Sequence, residues 1–199
     1  GWVSGFDGLI LKTTDGGTTW ATQTSGSAQV LISAQAIDAN TAYVAGYGGT
    51  ILKTTNGGST WTAQTSGTAQ DINALHFVDT DTGWVVANSG VILKTVNGGT
   101  AWTAQTSGTT VGLNAVTAAS TSTVTVLGSG IVLQTTSGGT TWATRVQGFG
   151  NAANALSFVD ANTGYAVGNS GDAEKTTDGG LTWTVLSVGT SATLNDVHA

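Results

Sequence analysis

The 199-residue chain has no cysteine, no proline and no methionine, and carries only five cations against eleven anions. Without cysteine there are no disulfides and no thiolate metal sites, which leaves the redox compartment open. With a net charge of −6 and no basic stripe, the electrostatics argue against a nucleic-acid partner. No apolar run approaches the roughly eighteen residues of a membrane span. The missing initiator methionine leads to the expectation of a processed chain or an excised domain. Scarce charge does not mean disorder, because 39% of the residues are hydrophobic and disorder needs few apolar residues with high net charge. A surface rich in Thr, Ser, Asn and Gln with few lysines leads to the expectation of a secreted or cell-surface protein.

What is present is a repeat. Ile10 to Trp20 reads Ile-Leu-Lys-Thr-Thr-Asp-Gly-Gly-Thr-Thr-Trp and returns at Ile51 to Trp61, Ile92 to Trp102, Val132 to Trp142 and, degraded, at Ala173 to Trp183. The terminal tryptophans, Trp20, Trp61, Trp102, Trp142 and Trp183, lie 41, 41, 40 and 41 residues apart. A period of about forty marks a solenoid or propeller. Within each copy, β-favouring residues flank a turn of the Asp-Gly-Gly type, the signature of a β-hairpin. The turn position is Asp15, Asn56, Asn97, Ser137 and Asp178 in successive copies. Charge is therefore optional there, and a side-chain oxygen that can accept from the backbone just ahead is what the site requires.

Thr13-x-Asp15-x-Gly17-x-Thr19-Trp20 resembles the Asp-box, or BNR, repeat of sialidases, sortilin-type receptors and photosystem II stability and assembly factors. The resemblance covers the whole chain and implies a β-propeller, but family members include enzymes, receptors and assembly factors. Sialidases hold their substrate with several arginines and use a tyrosine nucleophile paired with a glutamate. This chain has one arginine, Arg145, and one glutamate, Glu174, so that activity does not transfer. The photosystem factors resemble it more closely in their Gly-Gly-x-Thr-Trp repeats, yet carry an arginine-rich patch that is absent here.

The other strands follow from alignment of the copies. A second strand lies at Gly1-Trp2-Val3, Ala42 to Gly46, Gly83 to Ala87 and Gly164 to Gly168. A first strand is clearest at Ile72 to Phe77 and Leu156 to Val159, and a fourth at Ala21 to Gln23 and Thr62 to Gln64. The expectation is an all-β fold: a five-bladed β-propeller of four-stranded antiparallel blades, residues 1–199 forming one domain of five Asp-box repeats. Leu194 to Ala199 aligns with the first strand Ile72 to Phe77, so ring closure by pairing of this C-terminal strand with the N-terminal blade is expected. A fragment of a ring with six or seven blades is the alternative.

Candidate chemistry is sparse. The box tryptophans read as inter-blade core, and Lys12, Lys53, Lys94 and Lys175, with Gln134 in the same position, as side chains covering blade surface. Asp79-x-Asp81 opens like a calcium loop but lacks the later acidic ligand, and Asp38 and Asp160 repeat the same turn. His76 and His198 lack a third ligand. No metal or cofactor is expected. Opposite the Asp-box turns, the loops between second and third strands carry Phe6, Tyr47, Asn88 and Asn169, and the segment after the fourth strand of repeat four brings Arg145 and Phe149. These six residues are the candidate ligand site, suited to a glycan or a protein, with self-association as a further option. The resulting expectation is a non-catalytic recognition module. Its alternatives are a structural building block of a surface layer, filament or multidomain extracellular protein and, remotely, a glycosidase-like enzyme.

Overall fold

The computed structural model describes residues 1–147 and 153–199, with Val146 and Gln147 described by backbone alone. Sheet one comprises β1 (Trp2–Ser4), β2 (Ile10–Lys12) and β3 (Ala21–Gln23), and sheet two β4 (Leu31–Ala36), β5 (Ala42–Gly46), β6 (Thr50–Thr54) and β7 (Thr62–Gln64). Sheet three follows with β8 (Ile72–Phe77), β9 (Gly83–Ala87), β10 (Ile92–Thr95) and β11 (Thr103–Gln105). Sheet four is β12 (Leu113–Ala118), β13 (Val124–Gly128), β14 (Ile131–Thr135) and β15 (Ala143–Gln147). Sheet five is β16 (Ala153–Phe158), β17 (Gly164–Gly168), β18 (Ala173–Thr176) and β19 (Thr184–Val185). Strands neighbouring in sequence neighbour in space, so each sheet is an antiparallel meander of the kind that forms a propeller blade.

The sequence pattern explains which strand lies inside. β5, β9 and β13 are buried at every position, and they are the runs without polar alternation, such as Gly-Trp-Val-Val-Ala. Strands covered on both faces read this way. The first strands β4, β12 and β16 each carry a register shift after their first residue, between Leu31 and Ser33, Leu113 and Ala115, and Ala153 and Ala155. Such a bulge tightens the local twist and re-aims the side chains beyond it.

The chain divides into two compact units, Gly1–Val85 with Leu93–Ala104, and Val86–Ile92 with Gln105–Ala199. In the first, Ile10, Leu31, Val44 and Leu52 form a core cluster on which Trp2 and Trp61 pack. In the second, Leu127, Val132, Ala153 and Ala166 do the same with Ala115, Leu156 and Trp183. Phe77 stacks on Tyr43 with ring centroids 3.9 Å apart, a contact between sheets two and three within the first unit.

Sheet one has three strands where the others have four. The segment aligned with its missing first strand lies against sheet five. Leu194 N–H donates to Gly168 O at 2.9 Å, as Leu31 N–H does to Gly5 O at 2.9 Å. Ala199 N–H donates to Ser157 Oγ, as Phe77 N–H donates to Gln35 Oε1 three repeats earlier. Leu194 and Val197 also pack on Ala155, Val167 and Ala173. Toward sheet five, residues 194–199 thus occupy the place of a following first strand, although they form no ladder among the described residues.

Candidate functional site

Each sheet has two ends, built by different means. At one end the Asp-box turn joins the third and fourth strands. In the second repeat, Thr54 Oγ1 donates to Asn56 Oδ1 and accepts from Gly58 N–H at 2.8 Å, while Asn56 Oδ1 accepts from Thr60 N–H at 3.0 Å. The corresponding oxygens of Asp15, Asn97, Ser137 and Asp178 accept from the N–H of Thr19, Ala101, Thr141 and Thr182. Asp, Asn and Ser serve alike because one acceptor oxygen at that distance is all the turn needs. A second bond joins the same side chain to the Thr hydroxyl in four copies, with Asn56 Nδ2 donating to Thr60 and Ser137 Oγ paired with Thr141 Oγ1, and where the residue is aspartate it is the acceptor. Thr19 and Thr182 hydroxyls donate to Asp15 and Asp178 at 2.6 Å, and these bonds foremost lower both carboxyls from 3.8 to about 2.

The turn between first and second strands lies beside the box. Asp79 Oδ1 accepts from the N–H of Asp81 and Thr82 at 2.8 and 2.6 Å, and Asp38, Ser120 and Asp160 bind their own turns in the same way. Backbone N–H groups, those of Thr82, Asn40 and Thr163 first, hold Asp79, Asp38 and Asp160 below the usual carboxylate range. The turn's carbonyl then takes a box N–H: Gly57 donates to Asn40 O, Gly98 to Asp81 O, Gly138 to Ser122 O and Gly179 to Asn162 O.

Two sequence expectations gain detail at this end. The lysines do more than cover a blade surface. Lys12 Nζ donates to Gly57 O at 2.7 Å and Lys53 Nζ to Gly98 O at 2.8 Å, each reaching the Asp-box turn of the next repeat. Each ammonium also lies over the ring of its cross-strand partner: Lys12 over Trp2, Lys53 over Tyr43, Lys94 over Trp84 and Lys175 over Tyr165, 4.8 to 5.6 Å from the centroid. In repeat four the cross-strand pair is Thr125 and Gln134, and the Gln134 amide takes over the bond to the next box at Gly179 O. Aromatic with lysine, threonine with glutamine was a sequence signal for this tie, visible only once the register paired the positions.

The box tryptophans Trp61 and Trp183 pack on core clusters shared by adjacent sheets, as expected of inter-blade core, without being fully buried. Trp20 is 43% exposed and Trp61, Trp102, Trp142 and Trp183 are half-buried, whereas Trp84, in a central strand, is completely buried. Each box tryptophan immediately precedes the edge strand of its sheet, where one side lacks a covering strand. Trp61, Trp102 and Trp183 stand edge-on to Trp2, Phe77 and Phe158, centroids 5.3 to 6.2 Å apart.

At the opposite end, second and third strands are joined by single 3-10 turns, Phe6–Gly8, Tyr47–Gly49, Asn88–Gly90 and Asn169–Gly171. Their middle residues Asp7, Gly48, Ser89 and Ser170 lie in the left-handed region at φ 54, 62, 59 and 60°. The third residue must be glycine: a Cβ on Gly8, Gly49, Gly90 or Gly171 would stand 1.9 to 2.0 Å from the carbonyl oxygen of Ser27, Thr68, Thr109 or Thr190. The loop is thereby seated on the Thr-Ser-Gly segment that follows the fourth strand. Its first side chain stays outside. Phe6 is 75% and Tyr47 41% exposed, while Asn88 and Asn169 are half-buried and Asn169 Oδ1 accepts from Asn154 Nδ2 at 3.1 Å. An open groove of about 490 Å³ runs beside Phe6, lined also by Asp7, Leu9 and residues 22–27.

Phe6 and Tyr47 belong to the first compact unit and Asn88 and Asn169 to the second. Arg145 does not join this group. It stands in β15, not in the loop beyond, and its Nε donates to Gln134 Oε1 at 3.1 Å. It sits at the repeat position of Gln23, Gln64 and Gln105. Phe149 lies outside the described residues.

A propeller-type repeat with these boxes has a counterpart. The family model of photosynthesis system II assembly factor YCF48 matches residues 27–155, more than half of the chain. The chain belongs to the YCF48 family. A solved structure titled YCF48 bound to D1 peptide is 20% identical, with a TM-score of 0.70 over 85% of this chain and 57% of that one. YCF48 from Cyanidioschyzon merolae is 17% identical, TM-score 0.58, covering 96% and 82%. The GH74 enzyme of Niastella koreensis is 21% identical, TM-score 0.67, covering 89% of this chain and 34% of the enzyme. At these identities the likeness establishes the fold, a BNR-type β-propeller. The chain spans little more than half the length of the peptide-bound YCF48. No curated protein matches it.

Proposed function

We propose that the chain is a non-catalytic recognition domain that takes a protein segment on the loop end of its sheets. The observation that carries the reading is the contrast at Phe6 and Tyr47, where a backbone fixed by a blocked glycine and by hydrogen bonds presents a ring to solvent. Rigid placement of an exposed aromatic lowers the ordering penalty of binding and supplies the kind of side chain that dominates interfaces. A YCF48 structure holding a D1 peptide supports a peptide as the class of partner. Absence of catalysis fits the use made of the carboxyls. Asp71 is engaged by Gly48 N–H at 2.9 Å, and Glu174 is buried in a strand. A secreted or cell-surface location goes with this reading, checked by fractionating cells that make the chain.

The test is an array of immobilised random peptides probed with the native chain, Phe6→Ala, Tyr47→Ala and, as a control, Val159→Ser at the box end. Loss of binding in the two aromatic variants with retention in the control is expected. Equal binding by all four proteins sinks the reading. Turnover of a fluorogenic sialoside or xyloglucan oligosaccharide anywhere between about pH 4 and 8 would overturn its non-catalytic part.

A further inference from the structure

The loop at Phe6 differs from its copies in one respect: the left-handed position beside the exposed ring carries a carboxylate, Asp7, where the others have Gly48, Ser89 and Ser170. That carboxylate makes no hydrogen bond or ion pair among the described residues and is exposed. Most other aspartates differ. Asp15, Asp38, Asp79, Asp160 and Asp178 hold their own turns, and Asp71 holds the Tyr47 loop. Every cation of the chain is also engaged. Lys12 and Lys53 donate to box carbonyls, Lys94 and Lys175 lie over rings, and Arg145 donates to Gln134. The net charge is −6, and among the described residues no cation pairs with Asp7 and none of the five Lys and Arg side chains is left without a contact.

We propose that the Phe6–Asp7 groove takes a lysine or arginine side chain of a partner peptide. The aliphatic stem lies along Leu9 and the Phe6 ring, which are 40% and 75% exposed, and the charged head meets Asp7. Attraction of a cation to an aromatic face and to a carboxylate act together at such a site. The fold already uses ammonium over ring in four of its repeats. This inference rests on the peptide-binding reading above and adds the charge of what is bound.

The peptide array tests it through the composition of what it retains. Retained peptides are expected to be enriched in lysine and arginine over aspartate and glutamate, with binding that weakens as salt is added. Asp7→Ser keeps the loop, because Ser89 and Ser170 hold the same conformation. It should lower affinity for the best basic peptide about threefold to fivefold, the range of an exposed ion pair, and remove most of the salt dependence. Phe6→Ala should lower it about tenfold. Retention of neutral or acidic peptides, or an unchanged affinity in Asp7→Ser, overturns the inference and leaves peptide binding standing. If no retained peptide depends on Phe6 or Tyr47, both readings fall.

Discussion

The two ends of the sheets differ most in what their side chains do. At the Asp-box end, side chains close the turns: Thr54 and Asn56 oxygens accept from their own N–H groups, and the Lys12 ammonium donates to the next repeat. At the loop end the backbone closes itself. Gly5 N–H donates to Leu9 O and Gly8 N–H to Gln29 O, so the loop does not depend on the rings of Phe6 and Tyr47, which stay exposed, although Asn169 Oδ1 accepts from Asn154 Nδ2. Residues at the box end are constrained to oxygen acceptors at fixed spacing, whereas position 6 and its equivalents hold Phe, Tyr and Asn. Variation concentrates where the fold does not need the side chain, and that is also where a partner can be met.

The comparison breaks most visibly at the loop glycines. Gly49→Ala places a Cβ 2.0 Å from Thr68 O at φ 71°. Loss of several kcal/mol, or failure to fold, is expected in denaturant melts, and a variant as stable as the native chain would show that the loop backbone is not rigid. Next comes Thr54→Val, which takes the buried acceptor from Gly58 N–H and should cost about 1–3 kcal/mol.

Acid separates the repeats. Carboxyls held near 2 at Asp15 and Asp178 contribute stability that is present above their ordinary value and lost as pH falls through about 2. The boxes of Asn56, Asn97 and Ser137 contribute no such dependence. Asp15→Asn with Asp178→Asn should therefore flatten the melting temperature below about pH 4. Glu174 has the opposite sign. It is buried where other repeats have Leu11, Leu52, Leu93 and Leu133, and burial, then Asp172, pushes its carboxyl up. The protonated form is the one the fold favours, so the benefit is full below the ordinary glutamate value and lost as pH rises through the raised one. Glu174→Leu should raise the melting temperature at neutral pH, and an unchanged value there would show the carboxylate to be well solvated.

The smallest effect is expected at the exposed rings. Phe6→Ala and Tyr47→Ala should shift stability by no more than about 0.5 kcal/mol in either direction. If both variants melt far lower, the rings belong to the core and the contrast between the two ends disappears.

Much of this was determined by the sequence alone. A fixed period of Trp and Asp-Gly-Gly set the number of repeats, and the strands at Ile72–Phe77, Thr62–Gln64 and Gly83–Ala87 follow from aligned apolar runs and turn residues. Alternation and turn chemistry act over neighbouring residues, so they are readable without coordinates. The box oxygens were legible for the same reason, because their partners lie within four residues. What only the tertiary structure decided are the contacts between elements: Lys12 on Gly57, Gln35 on Phe77 and Gln134 on Gly179 across repeats, and Arg145 on Gln134 within one. Burial belongs with them. Box tryptophans and Trp84 are one residue type, but a position beside an edge strand leaves a ring half-covered while a central strand encloses it. Local spacing carries no information about which element stands on the far side of a side chain, and that neighbour decides whether a lysine is surface or tie, and whether a ring is core or contact.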